Sequence, residues 1–319
     1  MSKFPTQIAN ISFPCFIFNA SGVNDEIYPQ LKKIAESSSA AITLKSCTKE
    51  VRLGNLNPKY IVKSNLIDGC TLNSMGWPNK GLKSSLEFVE NLKQEYPNRK
   101  IVASLADLSQ EECLEMLEVF VEQDLADLLE IDISCPNVEG KAILGYSPEK
   151  LEVFLNKIKI SAKAKIKLGL KMPPYLDMNL LREIAEIISK FEFITFLTCI
   201  NTLGNVLIID PEKQSTIIKP NNGRGGLGGK YLKPIALGNV RSFFEFFRNK
   251  MDIIGVGGIS SGSDAFEFLL AGACAVQIGS AFAQNGISIF EKINTELVEI
   301  LERKGYKSID EAKGKLKFL

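Results

Sequence analysis

The sequence contains no histidine among its 319 residues. This absence excludes catalytic triads that use histidine, histidine-containing zinc sites and any histidine general base. Proton transfer must therefore depend on cysteine, lysine, aspartate, glutamate or tyrosine. The chain also lacks a C-x-x-C pair, and its seven cysteines are scattered at positions 15, 47, 70, 113, 135, 199 and 274. Such a set is typical of reduced thiols in the cytosol, so we predict a cytoplasmic protein without a metal site.

An excess of charge is missing as well, because 38 basic residues stand against 37 acidic residues. The sequence has no block of like charge, so we predict neither a nucleic-acid partner nor a membrane partner. No apolar run reaches the roughly 18 residues that suggest a membrane span. The first residues also lack the long apolar segment of a signal peptide.

Apolar runs of strand length alternate with amphipathic helical patterns along the whole chain. The predicted strands are Cys15–Phe18, Ala40–Leu44, Ile101–Ser104, Leu128–Ile133, Ile166–Leu170, Ile194–Cys199, Ile253–Val256 and Ala275–Ile278. The predicted helices are Tyr28–Ser37, Ser84–Glu95, Gln110–Gln123, Pro148–Ile160, Leu180–Ser189, Ala236–Lys250, Ser263–Ala271 and Ile287–Lys304. This alternation predicts a parallel sheet closed into a (β/α)₈ barrel, also called a TIM barrel.

No linker or change of composition divides the chain, so we predict a single barrel domain over residues 1–319. Two long excursions interrupt the alternation, Cys47–Lys80 after the second strand and Asn205–Lys233 after the sixth. We expect both to cover the carboxyl-terminal mouth of the barrel, with room for strands of their own. We call the first of them, Cys47–Lys80, the lid.

A cysteine lies directly after the fourth predicted strand, in the segment Ser134-Cys135-Pro136-Asn137. Proline cannot continue a strand ladder, so the strand must end there. In parallel α/β proteins the carboxyl ends of strands carry the chemistry, which makes Cys135 a catalytic candidate. A buried structural cysteine in a turn is equally compatible with this stretch, because a free thiol packs as a small hydrophobe.

Glycine-containing pairs follow the last two predicted strands, Gly257-Gly258 after the seventh and Gly279-Ser280 after the eighth. Barrels often bind phosphate at this place with bare backbone N–H groups, and Ser280 adds a hydroxyl. The alternative is a pair of tight turns, which also require glycine. We favour a cofactor phosphate because two such pairs occur side by side.

Lysines end two other strands, Lys45 the second and Lys171 the fifth. A lysine buried at the mouth needs an anionic partner, whereas a lysine at the rim can remain solvated. Turn amides near the strand ends form a donor and acceptor set that suits a heterocyclic substrate, although each alone has a local explanation. These residues are Asn73, Asn79, Asn137 and Asn201, with Thr202.

Nine segments resemble, in the same order, those of the dihydroorotate dehydrogenases, and most closely the soluble, fumarate-using class 1A. They are NASG (19–22), LKS (44–46), NSMGWPN (73–79), ISCPNVEGK (133–141), LKMPPY (170–175), NTLGN (201–205), GRGGLGGKYLKP (223–234), GVGGI (255–259) and QIGSA (277–281). The resemblance spans nearly the whole chain. It implies an FMN-containing barrel that oxidises (S)-dihydroorotate to orotate in pyrimidine biosynthesis. Fumarate would reoxidise the flavin, and the protein would be a cytosolic homodimer.

The resemblance also implies a role for each matching residue. Cys135 would be the base that removes the C5 proton, and Lys171 would stabilise the reduced flavin. Substrate would be bound by Lys45, Asn73, Met75, Gly76, Trp77, Asp132, Asn137, Asn201 and Thr202. FMN would be bound by Ala20, Ser21, Lys45, Ser46, Asp132, Lys171, Ile200, Gly229, Gly257, Gly258, Gly279 and Ser280.

Three residues depart from the family pattern. Asp132 replaces an asparagine, Trp77 replaces a leucine and Thr202 replaces a serine. An ionised aspartate accepts hydrogen bonds but cannot donate them, so it would repel an orotate carboxylate or a reduced flavin. Asp132 must therefore be protonated in a dry site, or its ligand must present a donor or a cation. For Trp77 we expect mainly altered bulk at the lid, because that position contributes its backbone N–H.

Two alternatives remain open. Asp132 is also compatible with a paralogue that uses the same FMN barrel on another dihydropyrimidine or an enoate. The other alternative is a flavin-binding protein without turnover, or a phosphate-binding barrel that uses Lys171 as a Schiff-base amine.

Overall fold

The computed structural model describes residues 4–106, 108–138, 140–161, 167–248 and 250–319. Ile166, the predicted start of the fifth barrel strand, and Glu139 of the ISCPNVEGK segment lie outside these residues. In chain order the strands are β1 (Thr6–Ile8), β2 (Ile11–Phe13), β3 (Ile17–Asn19), β4 (Ala41–Thr43), β5 (Tyr60–Ile61), β6 (Cys70–Asn73), β7 (Lys100–Ala106), β8 (Leu128–Asp132), β9 (Leu168–Met172), β10 (Ile194–Cys199), β11 (Leu203–Leu207), β12 (Ile209–Asp210), β13 (Ser215–Thr216), β14 (Arg224–Gly229), β15 (Asp252–Val256) and β16 (Ala275–Ile278). The helices are α1 (Tyr28–Ala35), α2 (Gly81–Glu95), α3 (Gln110–Gln123), α4 (Pro148–Ser161), α5 (Met178–Ile188), α6 (Lys233–Phe247), α7 (Gly262–Ala271), α8 (Ser280–Asn285), α9 (Ser288–Arg303) and α10 (Ile309–Ala312).

The central sheet has the strand order β3-β16-β15-β10-β9-β8-β7-β4, and its hydrogen-bonded neighbours are parallel. A helix follows each of these strands, so the predicted (β/α)₈ barrel is confirmed. Strand bounds differ from the prediction by up to two residues. The strand β7, for example, extends to Ala106 because Ala106 pairs with Asp132 of β8.

The seam between the first and last strands of the sheet order is closed by a side chain. Asn19 at the end of β3 donates from Nδ2 to the Thr43 carbonyl of β4 at 2.7 Å. The Thr43 N–H donates back to Asn19 Oδ1 at 2.8 Å, and the Ala40 N–H donates to the Ile17 carbonyl. Because Asn19 is fully buried, its amide takes the place of ladder hydrogen bonds where β3 and β4 meet.

The helices begin and end where the sequence offers caps. Ser109 caps α3 by accepting from the Glu112 N–H, and Ser261 forms a capping box with Asp264 at the start of α7. The helix α6 begins three residues before its predicted start because Pro234 is favourable in a first turn. None of the helices in the described part of the chain combines the length and apolarity that a membrane crossing needs.

One close contact inside the barrel depends on a glycine. An added Cβ on Gly169 of β9 would lie 2.1 Å from the ring of Phe196, which is fully buried on the neighbouring strand β10. The phenylalanine thus occupies the volume that a side chain at position 169 would need, and the two residues together fill this layer of the interior.

The two excursions join to form one antiparallel sheet across the mouth of the barrel. Its strand order is β11-β14-β6-β5, so β6 of the first excursion pairs directly with β14 of the second. We call these four strands the cap sheet. It has a small apolar core of its own around Cys70, Leu72 and Ile218. The prediction that both excursions cover the mouth is confirmed.

Candidate active site

A cavity of about 300 Å³ lies between the barrel mouth and the cap sheet. The carboxyl ends of the barrel strands converge on it, and both excursions contribute to its walls. Every residue to which the family resemblance gives a role lines this cavity: Ala20, Ser21, Lys45, Ser46, Asn73, Met75, Gly76, Trp77, Asp132, Cys135, Asn137, Lys171, Ile200, Asn201, Thr202, Gly229, Gly257, Gly258, Gly279 and Ser280. The structure therefore brings these residues together, although the separate role of each residue stays a prediction.

Cys135 lies in the loop after β8, where only 6% of its surface is exposed. Its thiol packs in a small cluster with Trp77 and Ala106. The pKa of Cys135 is raised to about 12, mainly by burial and secondly by the charge of Asp132. The opposing influences are weaker and come from the Asn137 N–H, Lys45 and Lys141. In this closed arrangement the thiol is protonated at neutral pH.

Lys171 lies near the end of β9 and brings a buried positive charge to the floor of the cavity. Its Nζ donates to Gln277 Oε1 of β16 at 3.1 Å. Glu130 of β8 accepts a hydrogen bond from Thr198, and burial raises its pKa while Lys171 opposes that rise. Gln277 Nε2 and Glu130 Oε1 have no hydrogen-bond partner among the described residues. These buried polar atoms suit a polar ligand placed over the floor of the cavity.

Gln277 and Glu130 were missed by reasoning from the sequence, although a signal was present. Each is a polar residue inside an otherwise apolar barrel strand, AVQI for Gln277 and LLEID for Glu130. A polar side chain that points into a barrel needs a partner there, so such positions indicate the floor of a site.

Asp132 ends β8 and its carboxylate is surrounded by hydrogen-bond donors. Oδ1 accepts from the Ser134 N–H at 3.0 Å and from the Ser134 hydroxyl at 2.6 Å, with Asn201 Nδ2 at 3.5 Å. Oδ2 accepts from the indole N–H of Trp77 at 3.2 Å. The expectation that Trp77 would mainly alter the bulk of the lid is therefore wrong, because its indole N–H hydrogen-bonds directly to Asp132, which also departs from the family pattern.

Trp77 reaches Asp132 from a constrained lid turn. Both Gly76 and Trp77 adopt left-handed backbone conformations, with φ values of 71° and 54°. For a bulky residue this conformation is uncommon and costs of order 1–3 kcal/mol. Asn79 stabilises the turn by donating to the Trp77 carbonyl at 2.9 Å. Asn79 itself does not line the cavity, so it supports the lid and does not belong to the expected amide set around a substrate.

The remaining amides form two short chains of hydrogen bonds in the wall of the cavity. Asn137 Nδ2 donates to Asn73 Oδ1 at 2.8 Å, and Asn73 Nδ2 donates to the Gly226 carbonyl of the cap sheet. Asn201 Nδ2 donates to the Ser134 hydroxyl at 2.9 Å, and Asn201 Oδ1 accepts from the Thr202 N–H at 2.7 Å. Each predicted substrate-binding amide is thus held in a fixed orientation before a ligand arrives.

Lys45 shares its surroundings with Asp25, a residue that the sequence gave no reason to select. The carboxylate of Asp25 is buried and accepts from the Gly22 N–H at 2.7 Å. Burial raises the pKa of Asp25 to about 7, against an opposing influence of Lys45. Asp25 does not line the cavity, so it is a titratable acid near Lys45, which does line it.

Glycine backbone forms the wall opposite the lid. Gly229 and Gly258 both have positive φ, and a Cβ on Gly258 would lie 2.7 Å from the Gly229 carbonyl oxygen. The Ser280 hydroxyl lies 2.7 Å from the Thr71 hydroxyl of the cap sheet. Thr71 was also missed, because nothing in the sequence indicates that β6 reaches the end of β16. Side-chain-free backbone beside a hydroxyl fits the phosphate of a nucleotide cofactor such as FMN.

Comparisons with known proteins agree on one family. The family model described as dihydroorotate dehydrogenase matches residues 3–301. The chain is 41% identical over 319 residues to dihydroorotate dehydrogenase (fumarate) of Saccharomyces mikatae, covering 100% of this chain and 99% of that protein. It is 41% identical over 315 residues to dihydroorotate dehydrogenase A (fumarate) of Lactococcus lactis subsp. cremoris, covering 98% and 99%. A crystal structure of DHODH from Eimeria tenella in complex with ferulenol superposes with a TM-score of 0.80 at 21% identity, covering 98% of this chain and 88% of that one.

Proposed function

The chain belongs to the dihydroorotate dehydrogenase family, and we propose that it oxidises (S)-dihydroorotate to orotate with FMN as cofactor and fumarate as electron acceptor. The observation that carries this proposal is the cavity under the cap sheet, which gathers Cys135, Lys171 and Lys45 from three different strand ends. Two relatives that align with almost the whole chain bear the name dihydroorotate dehydrogenase (fumarate). The predicted family is confirmed by these matches.

Several observations support FMN as the cofactor. The glycine wall leaves space for a phosphate at Gly257, Gly258, Gly279 and Ser280. Lys171 offers a positive charge at the floor of the cavity, where it would stabilise the negative charge of a reduced ring. The unpartnered Nε2 of Gln277 beside it is a donor for a ring carbonyl or nitrogen. The chemistry that FMN supplies when bound is acceptance of a hydride from the substrate.

Cys135 would act as the base. Its sulfur would accept the proton from C5 of the substrate, and bound FMN would supply the acceptor for the hydride from C6, so that the C5–C6 bond could become a double bond. The thiolate is the competent form, and the Asn137 N–H, Lys45 and Lys141 all favour it. Trp77 and Ala106 pack with Cys135 and would limit the access of water to the sulfur.

The substrate would be held by residues on both sides of the cavity. Lys45 and Asn73, with the lid backbone from Met75 to Trp77, suit the carboxylate, because they combine a positive charge with amide donors. Asn137, Asn201 and Thr202 suit the ring edge. Their hydrogen bonds to neighbouring residues limit the rotamers that must be ordered when substrate binds.

An anaerobic half-reaction tests the proposal. Dihydroorotate added to the purified yellow protein should bleach the flavin absorbance, and fumarate should restore it. The variant Cys135→Ala should bleach at least 100-fold more slowly, since general-base catalysis contributes about 10²–10⁴-fold. A matched control is Cys113→Ala, which removes a buried thiol of α3 outside the cavity and should bleach at the wild-type rate. Equal rates for Cys135→Ala and wild type would refute the role of Cys135.

Asp132 supports a second candidate function. The protein would then be a paralogue with the same barrel that acts on another dihydropyrimidine or an enoate. A negative charge at this position favours ligands with a donor or a cation there. A yellow protein that dihydroorotate does not bleach would favour the paralogue if dihydrouracil bleaches it, or if an enoate restores the absorbance after the flavin has been reduced chemically.

We infer from the resemblance that the whole chain is one domain and that the protein works as a homodimer in the cytosol. Sedimentation velocity at several concentrations tests the dimer. A single species with the mass of one chain would contradict it.

A further inference from the structure

Two departures from the family pattern meet in one hydrogen bond. Trp77 lies in the lid and Asp132 ends β8, 55 residues further along the chain, yet the indole N–H donates to Asp132 Oδ2 at 3.2 Å. Both side chains are buried, with 3% and 6% of their surfaces exposed. Since both line the cavity, the bond between them lies where a ligand would bind.

The two carboxylate oxygens of Asp132 differ in the donors that reach them. Oδ1 is saturated, because the Ser134 N–H, the Ser134 hydroxyl and the Asn201 amide all point to it. Oδ2 has Trp77 as its single donor among the described residues. A carboxylate oxygen accepts about two hydrogen bonds, so one acceptor position on Oδ2 is open.

We propose that Trp77 and Asp132 form a matched pair that determines ligand specificity: Trp77 is a positioning residue that holds the carboxylate, and Oδ2 accepts an N–H from the ligand ring. This inference rests on the proposed function for its ligand. Orotate and dihydroorotate each carry two ring N–H groups, N1–H and N3–H, and either can donate. The ligand carboxylate then lies away from Asp132, toward Lys45.

The pair is matched because Trp77 and an asparagine at position 132 are incompatible. An asparagine that kept its carbonyl oxygen toward Ser134 would turn its NH₂ group to the indole N–H, so two donors would face each other at about the present 3.2 Å. An asparagine flipped the other way would turn its NH₂ group to the Ser134 N–H, at about the present 3.0 Å. Either orientation leaves a buried donor without an acceptor.

The converse also holds, because an aspartate without Trp77 loses the donor on Oδ2. Replacing Trp77 by phenylalanine keeps most of the bulk and removes only the N–H. In the double variant Trp77→Phe/Asp132→Asn, the NH₂ group of the new asparagine meets no opposing donor from the lid. It can then donate to the ligand, as an asparagine can and an ionised aspartate cannot.

A direct test uses the fact that Trp77 is the single tryptophan of the chain. The spectrum of protein labelled with ¹⁵N-tryptophan therefore contains one indole N–H signal. A hydrogen bond to a carboxylate places its proton at low field, and we expect Asp132→Asn to move it upfield. An unchanged position in Asp132→Asn would overturn the pair, whatever the enzyme turns over.

A double-mutant cycle tests the coupling without any ligand. We expect Asp132→Asn and Trp77→Phe each to lower the unfolding temperature, and the double variant to be more stable than Asp132→Asn alone. Substitutions of residues in contact have non-additive effects on stability, whereas the effects of substitutions at distant residues add. The control cycle combines Asp132→Asn with Tyr96→Phe, which removes a hydroxyl that hydrogen-bonds Glu36 at the surface and lies outside the cavity, and should be additive. Additivity in both cycles would overturn the proposal.

Orotate binding to the holoenzyme tests the specificity. We expect Asp132→Asn to weaken orotate binding by about tenfold or more, and the double variant to recover most of that loss. One of the two probes 1-methylorotate and 3-methylorotate should bind the wild type at least about 100-fold more weakly than orotate, because its methyl group replaces the donated N–H. Equal binding of orotate and both probes would overturn the specificity role.

These measurements separate the two proposals. If the wild type does not oxidise dihydroorotate but the indole signal shifts and the stability cycle is coupled, the proposed function fails and the pair stands. If dihydroorotate is oxidised and the cycle is additive, the function stands and the pair fails.

Discussion

Asp132 ends β8 and Cys135 lies three residues further along, in the loop that follows, and the carboxylate acts against ionisation of the thiol. Burial has the larger influence on the pKa of Cys135, and the Asp132 charge adds to it. Lys45 and Lys141 act in the opposite direction. A base whose pKa is raised is active only toward high pH, so Asp132 sets part of the pH range of the reaction.

Removing this charge should shift the pH dependence of turnover. The charge is best removed where no donor clash follows, by comparing Trp77→Phe/Asp132→Asn with Trp77→Phe. Because the thiolate of Cys135 no longer faces a carboxylate, its pKa falls. The rising limb of kcat/KM for dihydroorotate should therefore lie at lower pH in the double variant. The measurement is a series of initial rates from neutral to alkaline pH.

A remote carboxylate provides the control. Asp252 starts β15 at the other end of the barrel and accepts from the Ala9 N–H. Asp252→Asn should leave the rising limb of the kcat/KM profile at its wild-type pH. An unmoved limb in Trp77→Phe/Asp132→Asn would mean that Cys135 does not limit the rate in this pH range.

The sequence identified the reactive side chains better than their partners. An apolar run of strand length precedes each of Cys135, Lys45 and Lys171, and proline or a polar turn marks the end of each run. The Trp77–Asp132 bond could not be found this way, because it depends on the rotamer of a lid residue 55 positions away. Asp25 was missed for the same reason, since only the folded chain shows that its carboxylate is buried near Lys45.

At the scale of elements, the contact of β9 with β10 depends on Gly169. A methyl group at this position would meet the Phe196 ring at 2.1 Å. We expect Gly169→Ala to lower the free energy of unfolding by about 1–3 kcal/mol, the usual effect of overpacking. Adding Phe196→Leu should recover part of this loss, because the smaller side chain leaves room for the methyl group. Urea unfolding of the single and double variants measures both effects.

The control for this prediction is Gly238→Ala in α6. Position 238 is exposed, and an added Cβ would have no atom within 4 Å. Alanine favours the helix over glycine, so this variant should be stabilised by up to about 1 kcal/mol. If Gly169→Ala behaved like Gly238→Ala, the tight contact with Phe196 would be refuted.

The elements themselves were largely predictable, because their periodicity is local. The strands β10 and β16 and the helix α3 have the predicted bounds, and each is a clear apolar run or an amphipathic segment with a cap. Misplaced ends have non-local causes. The strand β9 extends to Met172, beyond the predicted Leu170, because Lys171 and Met172 pair with Thr198 and Cys199 of β10.

At the scale of the whole molecule, Asn19 completes the circle of strands. Its amide makes two hydrogen bonds to Thr43 across the seam. Asn19→Ala leaves a buried N–H and a buried carbonyl unpaired, each at a cost of about 1–3 kcal/mol. We expect a loss of about 2–4 kcal/mol in the free energy of unfolding, measured by urea denaturation.

A matched control removes an exposed asparagine amide. Asn156 donates from α4 to the Glu152 carbonyl on the surface, so Asn156→Ala should change the free energy of unfolding by less than about 0.5 kcal/mol. An equally small change for Asn19→Ala would show that the seam closes without the side chain.

The barrel class followed from the alternation of strands and helices, but the architecture above it did not. The sequence indicated two excursions with room for strands. It could not indicate that Cys70–Asn73 pairs with Gly226–Gly229, because pairing across such a distance leaves no periodic signal in either segment.

The cap sheet has a consequence for how such barrels can be varied by evolution or engineering. Since β6 and β14 come from different excursions and pair with each other, neither excursion carries a complete set of backbone partners. A graft of one excursion from a relative would leave an unmatched strand edge over the cavity. The unit of exchange is therefore the two excursions together, and a barrel that receives both receives a new lid while its strands and helices stay unchanged.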